Sequence, residues 1–251
     1  MTTNMIALVT GANKGIGFAT AGQLGSLGMT VLVGARDAER GRAAERRLRD
    51  GGVDARFVPL DVTDAESVAA VATLVEADYG RLDVLVNNAG IVLADGTSGL
   101  PSETTVATLR RLYETNVFGV AAVTNALLPA LRRAPAARIV NVSSEVGSIT
   151  VMTDPNGALF GLTSVPYPSS KAALNMLTAM YAKELRDTPI KVNAANPGYC
   201  ATDFNGNSGF RSAEQGAEVS VRLATLPADG PSGQLWGYQM DAGGGYGPLP
   251  W

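Results

Sequence analysis

Tyr167 and Lys171 stand four residues apart, the spacing that places two side chains on one face of a helix. A free tyrosine ionises near pH 10 and is a weak acid–base at neutral pH. A neighbouring ammonium favours the phenolate and lowers that value. The pair is therefore a candidate proton-transfer centre. Ser143 and Ser144 follow an apolar run, and either offers a hydroxyl to an oxygen that gains charge. Chance also produces such a spacing, and a partly exposed helix start explains it equally well. Pro168 suits the first position of that helix but biases Tyr167 away from helical geometry. The chain has no histidine, which removes imidazole bases and Ser-His-Asp hydrolysis. With Cys200 as its one cysteine, no zinc site is expected, and no other metal site.

Such side chains work only if other elements set them beside a ligand. The stretch Thr10-Gly11-Ala12-Asn13-Lys14-Gly15-Ile16-Gly17 follows an apolar run, Met5 to Val9, and precedes a helical pattern, Phe18 to Leu27. That order is strand, glycine turn, helix. Gly11 permits a tight turn. Gly15 lets a backbone approach a pyrophosphate, and Gly17 lets the helix pack on the strand. The helix start then offers N–H groups and a positive dipole end to phosphates. A glycine-rich connection without a ligand is the plain alternative.

The alternation continues to the end of the chain. Thr30 to Gly34, Arg56 to Leu60, Leu82 to Val86, Arg138 to Val142, Ile190 to Ala195 and Gln234 to Met240 read as further strands. Asp37 reads as the cap of a helix over Ala38 to Asp50, and Thr63 with Glu66 has capping-box spacing. The next helix puts Val68, Val71, Ala72 and Val75 on one face. Glu103 to Arg133, Pro168 to Arg186 and Ser212 to Thr225 read as helical. The pattern predicts an α/β fold: one Rossmann-type domain over residues 1–251, with a doubly wound parallel sheet of about seven strands and helices on both faces. Ala94 to Pro101, Ser148 to Val165 and Phe204 to Arg211 read as mobile stretches, and Gly243 to Trp251 as surface coil.

Ligands of such sheets bind beyond the carboxyl ends of the strands. Small or polar residues recur there: Ala35-Arg36, Asp61-Val62, Asn87-Asn88-Ala89-Gly90, Ser143-Ser144 and Asn196-Pro197-Gly198. NAD sites commonly carry an acid after the second strand, for the ribose 2′-hydroxyl. Arg36 stands there instead, and Lys14 borders the same ribose from the turn. Two cations suit a 2′-phosphate. NADP(H) is the expected cofactor, with NAD(H) possible.

These ordered motifs resemble the classical short-chain dehydrogenase/reductase family, closest to its carbonyl-reductase-like branch given Asn13-Lys14 and Arg36. The resemblance implies that Gly11, Asn13, Lys14, Gly15, Ile16 and Gly17 form the cofactor turn. It places Asp61 and Val62 at the adenine and Asn88, Ala89 and Gly90 beside the cofactor. Pro197, Gly198 and Thr202 would hold the nicotinamide carboxamide. It makes Tyr167 the acid–base, helped by Lys171 and the oxidised nicotinamide, with Lys171 also on the ribose hydroxyls. Ser144, the last residue of the matching N-x-S-S pattern, would hold the carbonyl oxygen. Asn116 would hold a water beside the lysine. Two departures stand out. Many relatives carry cysteine or valine where this chain has Asn196, for which the sequence offers no reading. Ser144 and Tyr167 lie 23 residues apart, farther than in typical members. The extra residues are expected over the active-site mouth, with 148–165 and 204–211 as variable substrate loops. The insertion favours a monomer or homodimer over the family tetramer.

The formal net charge is −3 with no basic stripe, which argues against nucleic acid as partner. No apolar run approaches a membrane span, no signal-peptide pattern opens the sequence, and a lone cysteine fits a reducing compartment. No membrane association and a cytoplasmic location are expected. The expected function is NADPH-dependent reduction of a small ketone or aldehyde to an alcohol. Oxidation of a secondary alcohol, sugar or steroid is the alternative direction, and a catalytically silent NADP(H)-binding regulator the alternative class.

Overall fold

Strand β1 (Ile6–Thr10) is buried along its whole length because both its faces are covered. Ile6 and Leu8 join one core, Ala7 and Val9 the other, as alternation along a strand requires. The computed structural model describes residues 4–93, 99–240 and 244–251. Around β1 lie β2 (Thr30–Ala35), β3 (Ala55–Pro59), β4 (Val84–Asn87), β5 (Arg138–Val142), β6 (Lys191–Asn196), β7 (Leu235–Gln239) and β8 (Gly245–Leu249). Their order is β3-β2-β1-β4-β5-β6-β7-β8. All neighbours are parallel except β7 and β8. The sheet is doubly wound: strands are added on one side from β1 to β3 and on the other side from β4 onward. That switch point is where a crevice opens.

One core takes side chains from α3 (Ala65–Tyr79), α5 (Val120–Arg133) and α7 (Pro166–Glu184); the other takes them from α1 (Gly15–Ser26), α2 (Ala38–Asp50) and α8 (Ala213–Ala224). Val68, Val71 and Val75 are buried in the first, with Ala72 packed against it, as expected. Asp37 caps α2 by accepting from the Arg40 N–H. The cap of α3 is Asp64, which accepts from Glu66 N. Thr63 does not cap it: its N–H and hydroxyl both donate to the Asp61 carboxylate.

Three expectations need correction. The long helix over 103–133 is interrupted: α4 (Val106–Tyr113) and α5 are joined by a π turn, Glu114–Gly119. A Cβ at Gly119 would lie 2.8 Å from Val62 Cγ2, so the helix passes hard against the exit of β3. Within Ser148–Val165 a short helix, α6 (Ile149–Thr153), precedes turns. The tail is not coil: β8 pairs antiparallel with β7, making eight strands instead of seven. Its Pro248 is tolerated because β8 is an edge strand. Residues 94–98 of the stretch read as mobile, and Gly243 of the tail, lie outside the described residues.

Candidate active site

The glycine turn is sewn to the exit of β4. Thr10 Oγ1 accepts from Asn88 N at 3.0 Å and Ala89 N at 2.9 Å. The Asn88 amide donates back to the Thr10 and Gly11 carbonyls. Gly11 and Gly15 adopt φ of +64° and +56°, where a side chain is strained. A Cβ at Gly17 would lie 2.3 Å from Asn88 Nδ2, so only glycine lets α1 start this close to β4. Lys14 holds the N-cap position of α1 in extended geometry without a side-chain cap bond, and no acid stands in the first turn. The first N–H groups of α1 thus have no side-chain cap. Ile16 packs toward Gly216 of α8.

On the adenosine side the two expected cations part company. Arg36 projects into solvent with its Nε 3.9 Å from Asp61 Oδ2. Burial alone would raise the Asp61 carboxyl, but hydrogen bonds from Thr63 and the Arg36 charge hold it below its ordinary value. Lys14 Nζ lies 3.0 Å from Asp203 Oδ2. It shares a cleft of about 350 Å³ with Asn13, Arg40, Arg47 and Asp203. Arg40 and Arg47 were not singled out by the sequence. The available signal was helical spacing from the Asp37 cap, which turns residue 40 back toward the glycine turn.

The two serines separate clearly. Ser143 is buried and donates to Asn175 Oδ1 at 2.6 Å, so it belongs to the core. Ser144 is half-buried, and its Oγ accepts from Val146 N at 3.3 Å, capping the turn Glu145–Gly147. That turn sits on α7: a Cβ at Gly147 would lie 2.6 Å from the carbonyl carbon of Lys171. Pro166, not Pro168, opens α7, so Tyr167 lies inside the first turn despite the proline after it. Lys171 is buried and donates to the Val142 carbonyl at 2.8 Å, with Nζ 5.6 Å from the Tyr167 ring centre. Burial lowers Lys171 to about 8. The same burial raises the Tyr167 phenol well above its ordinary value. In the chain by itself, the phenol therefore shifts opposite to the direction expected from a neighbouring ammonium. Phe204 meets the Tyr167 ring edge-on at 5.7 Å.

Asn116 lies within the π turn. Its Nδ2 donates to Ile91 O at 3.0 Å and Ser170 Oγ at 3.1 Å, and its Oδ1 accepts from Ile91 N at 2.8 Å. Ser170 in turn donates to the Tyr167 carbonyl. A Cβ at Gly90 would lie 3.4 Å from Asn116 Oδ1 and 3.8 Å from Lys171 Nζ, so these three residues meet. Beyond β6, Thr202 comes back over the glycine turn, its Cγ2 3.5 Å from where a Gly15 Cβ would be. Cys200 between them is buried, its Sγ 3.5 Å from the Pro197 carbonyl. Burial raises that thiol, against the opposing influence of Arg211.

A protein-family model described as short chain dehydrogenase matches residues 5–212. The chain belongs to the short-chain dehydrogenase/reductase family. It is an oxidoreductase of the carbonyl-reductase-like branch. It is 41% identical over 246 residues to the short-chain dehydrogenase anuI of Penicillium roqueforti, covering 95% of this chain and 94% of that one. It is 35% identical over 274 residues to a carbonyl reductase (NADPH) of Bos taurus, covering 93% of this chain and 96% of that one. The crystal structure of an NADPH-bound carbonyl reductase from chicken fatty liver superposes with a TM-score of 0.83 at 28% identity, covering 99% of this chain and 100% of that one.

The short-chain fold's dinucleotide fits the residues present. An uncapped helix start behind a turn whose Gly11 and Gly15 hold positive φ offers free N–H groups to its phosphates. Among the described residues no helix is long and apolar enough to cross a membrane. No group of three or more His, Cys, Asp or Glu residues is placed to hold a metal ion among them.

Proposed function

We propose that the enzyme reduces a ketone or aldehyde to an alcohol with NADPH, reversibly, and that Ser144, Tyr167 and Lys171 carry the chemistry, with Asn116 positioning the site beside them. The observation behind this reading is the packing of the Ser144 turn on α7 at Lys171, with Asn116 and Gly90 at the same lysine. The NADPH-named relatives support the cofactor.

Bound NADPH would supply the hydride that the carbonyl carbon receives. Gly11, Asn13, Gly15, Ile16 and Gly17 would hold its pyrophosphate. Lys14, Arg36 and Arg40 would hold its 2′-phosphate, Asp61 and Val62 would border its adenine, and Asn88, Ala89 and Gly90 would leave it room. Pro197, Gly198 and Thr202 would hold the nicotinamide end, and Lys171 the ribose hydroxyls. Ser144 donates to the substrate oxygen. Tyr167 delivers the proton to the carbonyl oxygen in reduction and takes it back from the alcohol in oxidation. Asn116 has its amide engaged on both sides, so it serves the site by fixing Ile91 and Ser170. The reading also takes residues 1–251 as one nucleotide-binding domain, with 148–165 and 204–211 as substrate loops.

The test is NADPH consumption with a ketone panel, beside NADPH titrations, for the unmodified protein and Tyr167→Phe. Tyr167→Phe should bind NADPH within a few-fold of the original and lose at least 10²-fold in turnover. Tight NADPH binding without turnover of any carbonyl would favour the silent regulator. Retention of a tenth of kcat by Tyr167→Phe, where chemistry is rate-limiting, would exclude the mechanism.

A further inference from the structure

Asn196 ends β6 with 1% of its surface exposed. Its Oδ1 accepts from Glu145 N at 3.2 Å and from Gly198 N at 3.4 Å. Its Nδ2 donates to Tyr238 O at 2.6 Å. One side chain thus joins the exits of β5, β6 and β7. The backbone on either side leaves no slack. A Cβ at Gly237 would lie 2.1 Å from the Asn196 carbonyl oxygen, and one at Gly198 would lie 2.8 Å from Arg211 Cδ.

Glu145 directly follows Ser144. Among the described residues the Ser144 hydroxyl accepts from within its own turn, and the turn is held from outside at two places. On one side Gly147 lies against the Lys171 backbone. On the other, the Asn196 carbonyl holds the Glu145 N–H. The same oxygen holds the Gly198 N–H, at the corner proposed to border the nicotinamide end. An apolar side chain here would leave two N–H groups and one carbonyl without this partner, and such buried groups are costly to leave unpaired.

We infer that Asn196 is a positioning residue that fixes the Ser144 turn relative to the Pro197-Gly198 corner. The inference rests on the role proposed for Ser144. Cysteine or valine at this place cannot supply an acceptor to two N–H groups and a donor to a carbonyl together.

Asn196→Ala and Asn196→Asp separate positioning from stability. Aspartate keeps the acceptor for Glu145 and Gly198 but turns an oxygen toward the Tyr238 carbonyl, so its cost falls on β7 and on stability and not on the Ser144 turn; alanine keeps nothing. Amide exchange over residues 143–147 should speed up about 10-fold or more in Asn196→Ala and stay within about 3-fold of the original in Asn196→Asp. Ketone turnover per NADPH-binding site should fall about 10- to 100-fold in Asn196→Ala, with NADPH affinity within a few-fold, and recover most of that loss in Asn196→Asp. Unchanged exchange or unchanged kcat in Asn196→Ala overturns the inference. So does an Asn196→Asp as impaired as the alanine variant. If Asn196→Ala does not fold, loss of turnover in Asn196→Asp with 143–147 still protected overturns it. If the unmodified protein binds NADPH but reduces no ketone, the proposed function fails instead, and exchange over 143–147 alone decides whether Asn196 holds the turn.

Discussion

Lys171 is a cation kept out of water. Its folded value, about 8, lies below the ordinary 10.5, so the unfolded chain binds more protons between those limits. Stability then rises with pH across that window, because the cost of burying the charge disappears as the amine loses its proton. Tyr167 is shifted the other way and begins to destabilise only above its ordinary 10. Urea unfolding at about pH 7.5 and about pH 9.5 should show the protein gaining roughly 1–2 kcal/mol relative to Lys171→Met. Equal gains in both proteins would mean that the buried amine is not the source. At this scale the sequence was informative where chemistry restricts residue type. It marked Tyr167, Lys171 and Ser144, and preferred Ser144 to Ser143, which the core engages. It was silent on Asn196, Ser170 and Arg40, whose partners are assembled only by tertiary folding.

Lys14 and Asp203 join the glycine turn to the segment after β6. Both side chains are more than half exposed, and an exposed pair adds little stability. Its effect should fall on binding, since Asp203 sets a negative charge in the cleft where the 2′-phosphate is proposed to lie. Lys14→Ala should reduce kcat/KM for NADPH about 10-fold or more and leave NADH nearly unchanged. Asp203→Asn should move preference the other way, toward NADPH, by a few-fold. Steady-state kinetics with both cofactors check the pair, and equal losses with NADPH and NADH in Lys14→Ala would contradict the assignment. Element types were legible from apolar periodicity and from caps such as Asp37. The π turn was not, because its sequence, Glu114 to Gly119, keeps helical periodicity while the backbone gains one residue.

Across the whole molecule, the sheet was legible because its central strands β1, β2 and β4 are buried on both faces and their exits carry small or polar residues. The eighth strand was hidden: Gly245 to Leu249 holds two glycines and a proline, which are depleted in strands. Pairing with β7 and stacking of Tyr246 on Trp236 order it instead. Removing residues 244–251 should unpair β7, strip Tyr246 from Arg211, and lower Tm by roughly 5 °C or more. An unchanged Tm would make β8 dispensable. The segment 148–165 is expected to keep the enzyme monomeric or dimeric, and light scattering at micromolar concentration would contradict this by finding a stable tetramer.

Cys200 turns the covering of the glycine turn into something that can be timed. It is the chain's one cysteine, so any thiol signal comes from a single known place. The sulfur is sealed against α8, so close that a Cβ added at Gly216 would lie 2.5 Å from it, and burial raises the thiol. A reagent such as a disulfide dye reaches it only when residues 199–211 lift away. Its modification rate, at saturating reagent, then counts those openings per second. Saturating NADPH should slow that clock about 10-fold or more if Thr202 closes over the bound cofactor. A rate indifferent to NADPH would mean that the segment opens independently of the nucleotide it covers.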